Sequence, residues 1–284
     1  MVAYPIVEDV SIADPDDPRL AEYRGLGDGE RMRARGVFVA EGRMVVQRLL
    51  EDGQYALRSL LVSPAARLAL DRVLSQREIA ARIPSVYIAP TEAFEAITGF
   101  NFHRGCLALA DRPSERTLES VVDSASLLVV LEGVTDPDNV GGVFRNAAAF
   151  SADAVLLSPT CCDPLYRKAI RTSMGATLRV SFARMPDWPG TLDQLRRTGF
   201  AIVALTPRRP STSLDEFVAM ARPDRMALVV GTEGSGLSPA VEALADYRVC
   251  IPMRSDIDSL NLSVAAGIAL SGITSRSGWG PRRQ

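Results

Sequence analysis

Histidine is nearly missing from this chain of 284 residues, since His103 is the only one. That excludes a multi-histidine metal centre and leaves little room for histidine acid–base chemistry. Cysteine is scarce as well. Cys106, Cys161, Cys162 and Cys250 form no C-x-x-C pair, and the adjacent Cys161 and Cys162 are poorly spaced to share a metal. They read as small buried apolar residues, and no metal is expected. Lys168 is the only lysine; every other basic residue is arginine, the side chain suited to forked phosphate contacts. No run approaches the roughly eighteen uninterrupted apolar residues of a membrane helix. The N-terminal stretch MVAYPIVEDVSIADPDD lacks the basic-then-apolar pattern of a secretion signal. A cytoplasmic protein without a membrane partner is the expectation. A formal net charge of −2 gives no bulk attraction to nucleic acid, so any such binding rests on how the arginines are distributed.

What is present is enough apolar material, 47% of residues, for ordinary cores, and enough length for two domains. Residues 1–15 read as a loose leader and Arg19–Arg24 as a short helix. Gly25 to Gly29 make a flexible joint before the basic cluster Arg31, Arg33 and Arg35. Val37–Gly42 then reads as a strand and Arg43–Glu51 as a helix with Val45, Val46, Leu49 and Leu50 on one face. Further strands are expected at Leu57–Ser63, Ser85–Ala89 and Gly105–Ala110, with helices from Ala65 to Leu74 and from Thr91. The polar stretch Asp111–Arg116, with Pro113, breaks the pattern and reads as a linker. The expected division is therefore 1–115 and 116–284.

Past the linker, short apolar strands alternate with helices. Strands are expected at Leu127–Leu131, Ala154–Leu157, Leu178–Phe182, Ala201–Leu205, Ala227–Val230 and Val249–Ile251. Helices fall near Val140–Phe150, Leu165–Met174 and Leu192–Arg197, with a long one from Leu260. That alternation implies an α/β fold with a parallel sheet covered on both faces, and ligands in such sheets sit beyond the carboxyl ends of the strands.

Three loops occupy those positions. The first, Leu131 to Ala147, leaves a strand, turns at Asp136-Pro137-Asp138-Asn139 and enters a helix carrying Gly141, Gly142 and Arg145. The second, Gly231-Thr232-Glu233-Gly234-Ser235-Gly236-Leu237, follows an apolar strand; it has no Gly-Lys-Ser/Thr of a P-loop and no complete G-x-G-x-x-G. The third runs from Ile251-Pro252-Met253 to Ser259-Leu260-Asn261-Leu262-Ser263 and opens an Ala-rich helix. Pro252 stops the strand before it, and the Ser/Asn-rich junction offers free N–H groups to a polar ligand. Taken singly, the first is also a capped helix with a surface arginine, and the third an N-cap on a buried helix.

Together and in order, Asn139-x-Gly-x-x-x-Arg145, Gly231-Thr-Glu233-Gly-x-Gly236-Leu and Ile251-Pro-Met253 with Ser259-Leu-Asn261-x-Ser263 resemble the three motifs of the SpoU/TrmH family, RNA ribose methyltransferases of the knotted SPOUT class. The match spans roughly residues 125–275. Phe38-Val39-Ala40-Glu41-Gly42 and Phe102-His103-Arg104-Gly105 are similar to the small RNA-binding domain that often precedes this catalytic domain. The resemblance implies a C-terminal trefoil knot, S-adenosylmethionine as cofactor, a homodimer, and methylation of a ribose 2′-hydroxyl in ribosomal or transfer RNA. It places cofactor contacts at Gly231, Glu233, Ile251, Met253, Leu260 and Ser263, and catalytic roles at Asn139, Arg145, Glu233, Ser259 and Asn261. Arg31, Arg33, Arg35, Arg43 and Arg171 are candidate contacts to RNA phosphates. Two other readings stand beside it: a non-catalytic RNA-binding protein that keeps the scaffold, and a nucleotide-dependent dehydrogenase, whose glycine fingerprint is incomplete here.

Overall fold

A computed structural model describes residues 8–99, 105–220, 223–254, 256 and 259–275, so the expected Phe102-His103-Arg104 motif lies outside the described residues. The chain divides into two compact units, residues 1–114 with 165–175, and residues 115–164 with 176–284. A division near 115, as the sequence suggests, places residues 165–175 in the second domain; the structure counts them with the first. Helical periodicity is local and does not say which core a short helix joins.

The first unit is built on a mixed sheet. Its strands are β1 (Asp9–Ser11), β2 (Val37–Glu41), β3 (Leu57–Val62), β4 (Val86–Ile88) and β5 (Cys106–Asp111), in the order β1-β4-β3-β5-β2. β5 runs antiparallel to both β2 and β3, whereas β1, β4 and β3 are parallel. β1 corrects the expected loose leader: residues 9–11 pair with 86–88. The Gly25–Gly29 joint also ends in order, because Asp28 caps a short helix, Gly29–Ala34, by accepting a bond from the Arg31 N–H. The run expected as one helix from Ala65 to Leu74 is two, Pro64–Ala69 and Asp71–Leu74. Leu20, Tyr23, Phe94 and Ile97 fill the core against Val37, Val39, Leu107 and Leu109.

The second unit is a seven-stranded sheet, parallel throughout. Its strands are β6 (Leu127–Glu132), β7 (Ala154–Leu157), β8 (Ser181–Arg184), β9 (Ala201–Leu205), β10 (Thr212–Ser213), β11 (Met226–Gly231) and β12 (Tyr247–Cys250). Their order is β10-β12-β9-β11-β6-β7-β8. The strand expected at Leu178–Phe182 is displaced to Ser181–Arg184, with a 3-10 turn at Ala176–Leu178 before it. β11 is buried along its whole length and β6 at all but its last residue, as strands covered on both faces must be. Leu128, Val130, Ala227 and Val229 face one layer, with helices Leu118–Val122, Gly190–Arg197 and Pro239–Leu244. Helices Pro137–Ala149 and Leu262–Ser275 pack together, and Phe144 of the first meets Phe182 of β8 edge-on at 5.9 Å. Gly142 sets their spacing: a Cβ there would lie 2.6 Å from the Ser263 Cβ, so only glycine allows this approach.

Register brings the informative loops to one edge. Gly231 pairs with Glu132 across β11 and β6, and Val249 with Leu205 across β12 and β9. All four strands therefore release their chains at the same, carboxyl end of the sheet.

Candidate active site

Asn261 is where the three loops meet. It precedes the helix Leu262–Ser275, and its backbone carbonyl accepts the first helical bond, from Ala265 N–H at 2.9 Å. Its side-chain Oδ1 caps that helix, accepting from the N–H groups of Ser263 at 3.0 Å and Val264 at 3.2 Å and from the Ser263 hydroxyl at 2.7 Å. The amide nitrogen donates outward, to Asn139 Oδ1 at 2.9 Å and Glu233 Oε1 at 2.8 Å. One neutral side chain thus joins the helix after β6, the loop after β11 and the helix after β12. Asn139 is 6% exposed, and such a polar group needs a partner; Asn261 is that partner. Glu233 Oε1 also accepts from the Leu262 N–H at 3.4 Å, which sets a carboxylate at the start of a long helix.

The glycine loop is folded back on itself. Thr232 and Gly236 form an antiparallel bridge, and Gly236 N–H donates to Thr232 O at 3.0 Å. A Cβ on Gly231 would sit 2.3 Å from the Gly236 carbonyl carbon, so no other residue permits that fold. From behind, Arg208 grips the loop by donating to Ser235 O at 2.6 Å and Leu237 O at 3.0 Å. Glu132 accepts from the Ser238 N–H at 2.8 Å, the Ser238 hydroxyl at 2.7 Å and Trp188 Nε1 at 2.9 Å.

Between this loop and the segment after β12 lies a cleft of about 320 Å³. Gly231, Glu233, Ile251, Met253, Leu260 and Ser259 are among the residues that line it. Ser263 does not: its hydroxyl is spent on Asn261, and its Cβ faces Gly142. Arg145 is exposed on the helix Pro137–Ala149 and is not among the lining residues; no hydrogen bond or ion pair to a described residue holds it. One wall is not legible in the sequence. Leu205 ends β9, Thr206 and Pro207 follow it, and all three line the cleft; only the strand order makes them neighbours of the other walls.

The arginines singled out for RNA fall in the first unit. Arg31 and Arg33 are exposed on the helix Gly29–Ala34, Arg35 lies 3.7 Å from Glu22, and Arg43 is exposed at the start of the helix Arg43–Asp52. Arg171 is already committed: its Nη1 donates to Glu41 Oε1 at 3.0 Å, while Arg167 donates to Glu41 Oε2 at 2.8 Å. Cys106 is buried in β5, and burial pushes its thiol up to about 12. Cys162 is raised to about 11 for the same reason, so neither supplies a thiolate nucleophile at neutral pH. Among the described residues no cluster of metal-ligating side chains occurs, and no helix is long and apolar enough to cross a membrane.

In the second unit the cleft lies beyond the carboxyl ends of a parallel sheet, the place where open α/β sheets characteristically bind ligands. Residues 126–271, half of the chain, match the SpoU rRNA methylase family. A Mycobacterium tuberculosis protein, an uncharacterised tRNA/rRNA methyltransferase by name, is 41% identical over 264 residues, covering 91% of this chain and 89% of that one. An AdoMet-bound rRNA methyltransferase from Sinorhizobium meliloti shares the fold with a TM-score of 0.80 at 21% identity, over 95% of this chain and 98% of that one. An RNA 2′-O ribose methyltransferase superposes with a TM-score of 0.75 at 25% identity, over 95% and 99%. The chain belongs to the SpoU rRNA methylase family.

Proposed function

We propose that this protein transfers a methyl group from S-adenosylmethionine to a ribose 2′-hydroxyl of ribosomal or transfer RNA. The observation that carries the reading is the Asn261 junction, which ties buried Asn139 to Glu233, a wall residue of the glycine-lined cleft. The cleft suits the cofactor. Backbone of the glycine loop would lie against a flat ring where side chains are excluded, and Leu205, Ile251, Met253, Leu260 and Leu262 offer an apolar wall. When bound there, the cofactor supplies a sulfonium methyl already activated for transfer.

The protein's own residues then have to align the hydroxyl and to help remove its proton. Arginine stays protonated in proteins, so Arg145 acts by gripping a phosphate and orienting the hydroxyl. Alignment of this kind is worth as much as ~7–11 kcal/mol in favourable cases. Glu233 is the carboxylate best placed to receive the proton. Asn261 and the Leu262 N–H occupy its Oε1, and Oε2 has no partner among the described residues. Ser259 at the cleft wall and the RNA phosphate are the other candidate aids.

Three structural extensions belong to the same reading. The chain end forms a trefoil knot; β12 lying between β9 and β10, with the last helix packed on Pro137–Ala149, supports that threading. The active form is a homodimer, because Val264 and Ile268, 49% and 40% exposed, leave an apolar strip one turn apart on that last helix. The first unit, residues 1–115 by sequence, binds RNA through its arginines.

The test is methyl transfer from labelled cofactor to cellular RNA lacking the modification, followed by digestion to nucleosides. Label on a 2′-O-methyl ribose is the expected result. Label on a base would overturn the ribose assignment, and cofactor or RNA binding without transfer would favour a non-catalytic RNA-binding scaffold.

A further inference from the structure

The cleft is not the only concavity at the carboxyl edge of the sheet. A groove of about 600 Å³ opens on the other side of the glycine loop, lined by Glu132, Gly133, Ser158, Pro159, Thr160, Trp188 and Arg208, with Thr232 and Ser235 to Pro239. Its position follows from topology. β6 leads rightward in the sheet to β7 through the helix Pro137–Ala149, whereas β11 leads leftward to β12 through Pro239–Leu244. Those helices lie in different layers, the second with Leu192 and Leu195, the first against the helix Leu262–Ser275. The two adjacent strands β6 and β11 therefore send their chains to opposite sides and leave a crevice between them. That is the topological switch point, where open α/β sheets characteristically bind ligands. The cofactor cleft lies one strand further along, between β11 and the segments after β9 and β12.

We propose that this switch-point groove is a second subsite, which seats one nucleotide of the substrate RNA next to the one that reacts; this rests on the RNA methyltransferase reading above. Three features favour a nucleotide. Trp188 and Pro159 give flat apolar surface, and the indole is fixed in orientation by its bond to Glu132. The exposed Thr160 and the loop residue Ser235 bring hydroxyl groups for a base edge. Arg184 stands beside Pro159, donating to Pro159 O and Cys161 O; among the described residues no carboxylate pairs with it, so its charge is open to a phosphate. Arg208 is less available, since Glu242 lies 3.5 Å from it. Glu132 does not repel the ligand strongly, because three donors already share its two oxygens. Groove and cleft both touch Thr232 and Gly236, so a strand whose ribose reaches the cleft has its neighbour at the groove.

Trp188 is itself the reporter. The only other tryptophan is Trp279, so the full-length Trp279→Phe protein reads Trp188 alone. Titration with short oligoribonucleotides, and separately with the four nucleoside monophosphates, should quench its emission saturably. The quench should persist with S-adenosylhomocysteine at saturation. Filling the groove with Thr160→Phe should raise the RNA KM about tenfold, the loss expected for one stacked base, while cofactor Kd stays within about twofold. Absence of a quench, or its abolition by the cofactor product, would overturn the subsite. So would an unchanged RNA KM in the Thr160→Phe protein. A parent protein that neither binds cofactor nor methylates RNA refutes the methyltransferase reading instead, and the titration still reports whether nucleotides enter the groove.

Discussion

Glu41 and Asn261 hold distant segments together in the two units, and they do so by opposite means. Glu41, 3% exposed at the end of β2, takes Arg167 on one oxygen and Arg171 on the other, fastening residues 165–175 to the first unit with full charges. Asn261 joins three loops with a neutral amide, using Oδ1 to cap a helix and Nδ2 to bridge Asn139 and Glu233. An ion cluster of this burial is costly to open, because each charge left behind has been taken out of water. An amide bridge is cheaper to rearrange and adds no charge where the three loops meet. The first arrangement suits a permanent fastening and the second a site.

The largest effect should come from opening the charged cluster. Glu41→Ala removes the carboxylate that Arg171 and the 10%-exposed Arg167 share and should cost about 3–5 kcal/mol in urea unfolding of the whole chain. Arg171→Ala should cost under about 1 kcal/mol, since that side chain is 33% exposed and solvent already screens it. Equal losses in both variants would mean that burial does not distinguish the two pairs.

Arg145 comes next, as a charge whose geometry is the issue. Arg145→Lys keeps the charge and loses the planar fork, so single-turnover methyl transfer should slow by ~2–4 kcal/mol, about two to three orders of magnitude. Cofactor binding and most RNA binding should survive, with Arg145→Ala worse in rate and in RNA affinity. A lysine variant reacting at nearly the parental rate would make Arg145 a plain electrostatic anchor.

Asn261→Asp separates the two roles of the amide bridge. Aspartate caps a helix about as well as asparagine, so stability should stay within ~1 kcal/mol. The replacement cannot donate to Asn139 and sets a second carboxylate against Glu233, so cofactor affinity should fall by about 2 kcal/mol, roughly thirtyfold. Calorimetric titration with S-adenosylhomocysteine measures it. If melting temperature falls while affinity holds, the residue is a cap and nothing more.

These residues differ in how far the sequence announces them. Asn139 in the first turn of the helix after β6, and Glu233 and Asn261 in loops, all follow apolar strands; glycine, Asn and Ser are the residues such strand ends demand, so their neighbourhood can be read from pattern. Leu205 to Pro207 look like any strand end; their place on the cleft wall depends on β9 lying between β11 and β12, which no local period encodes. Glu41 reads as the polar end of a strand, and its partners are more than a hundred residues away in a helix that periodicity could assign to either unit. The helix Gly29–Ala34 escapes notice because six residues with one large apolar side chain, Met32, carry too little apolar repeat to register.

The smallest effect should follow from the arginines singled out for RNA in the first unit. If the first unit grips RNA as a polyanion, replacing Arg31, Arg33 and Arg35 together by Ala removes at most three phosphate contacts. Each contact to single-stranded RNA contributes about 0.7 to the slope of log K against log salt, so the ceiling is a change of about 2. Arg35 already leans on Glu22, and a charge with a carboxylate 3.7 Å away releases fewer counterions when a phosphate arrives. A slope change nearer 1 is therefore expected, with RNA affinity lowered severalfold at moderate salt. Cofactor affinity should stay within about twofold, because those arginines and the cleft belong to different units. Filter binding across a salt series decides it. An unchanged slope would place the RNA surface elsewhere and leave these side chains as ordinary solvated charge. A slope change beyond 2 would mean that the substitutions disturb the short helix itself, which the loss of its bond from the Arg31 N–H to Asp28 would reveal by faster amide exchange.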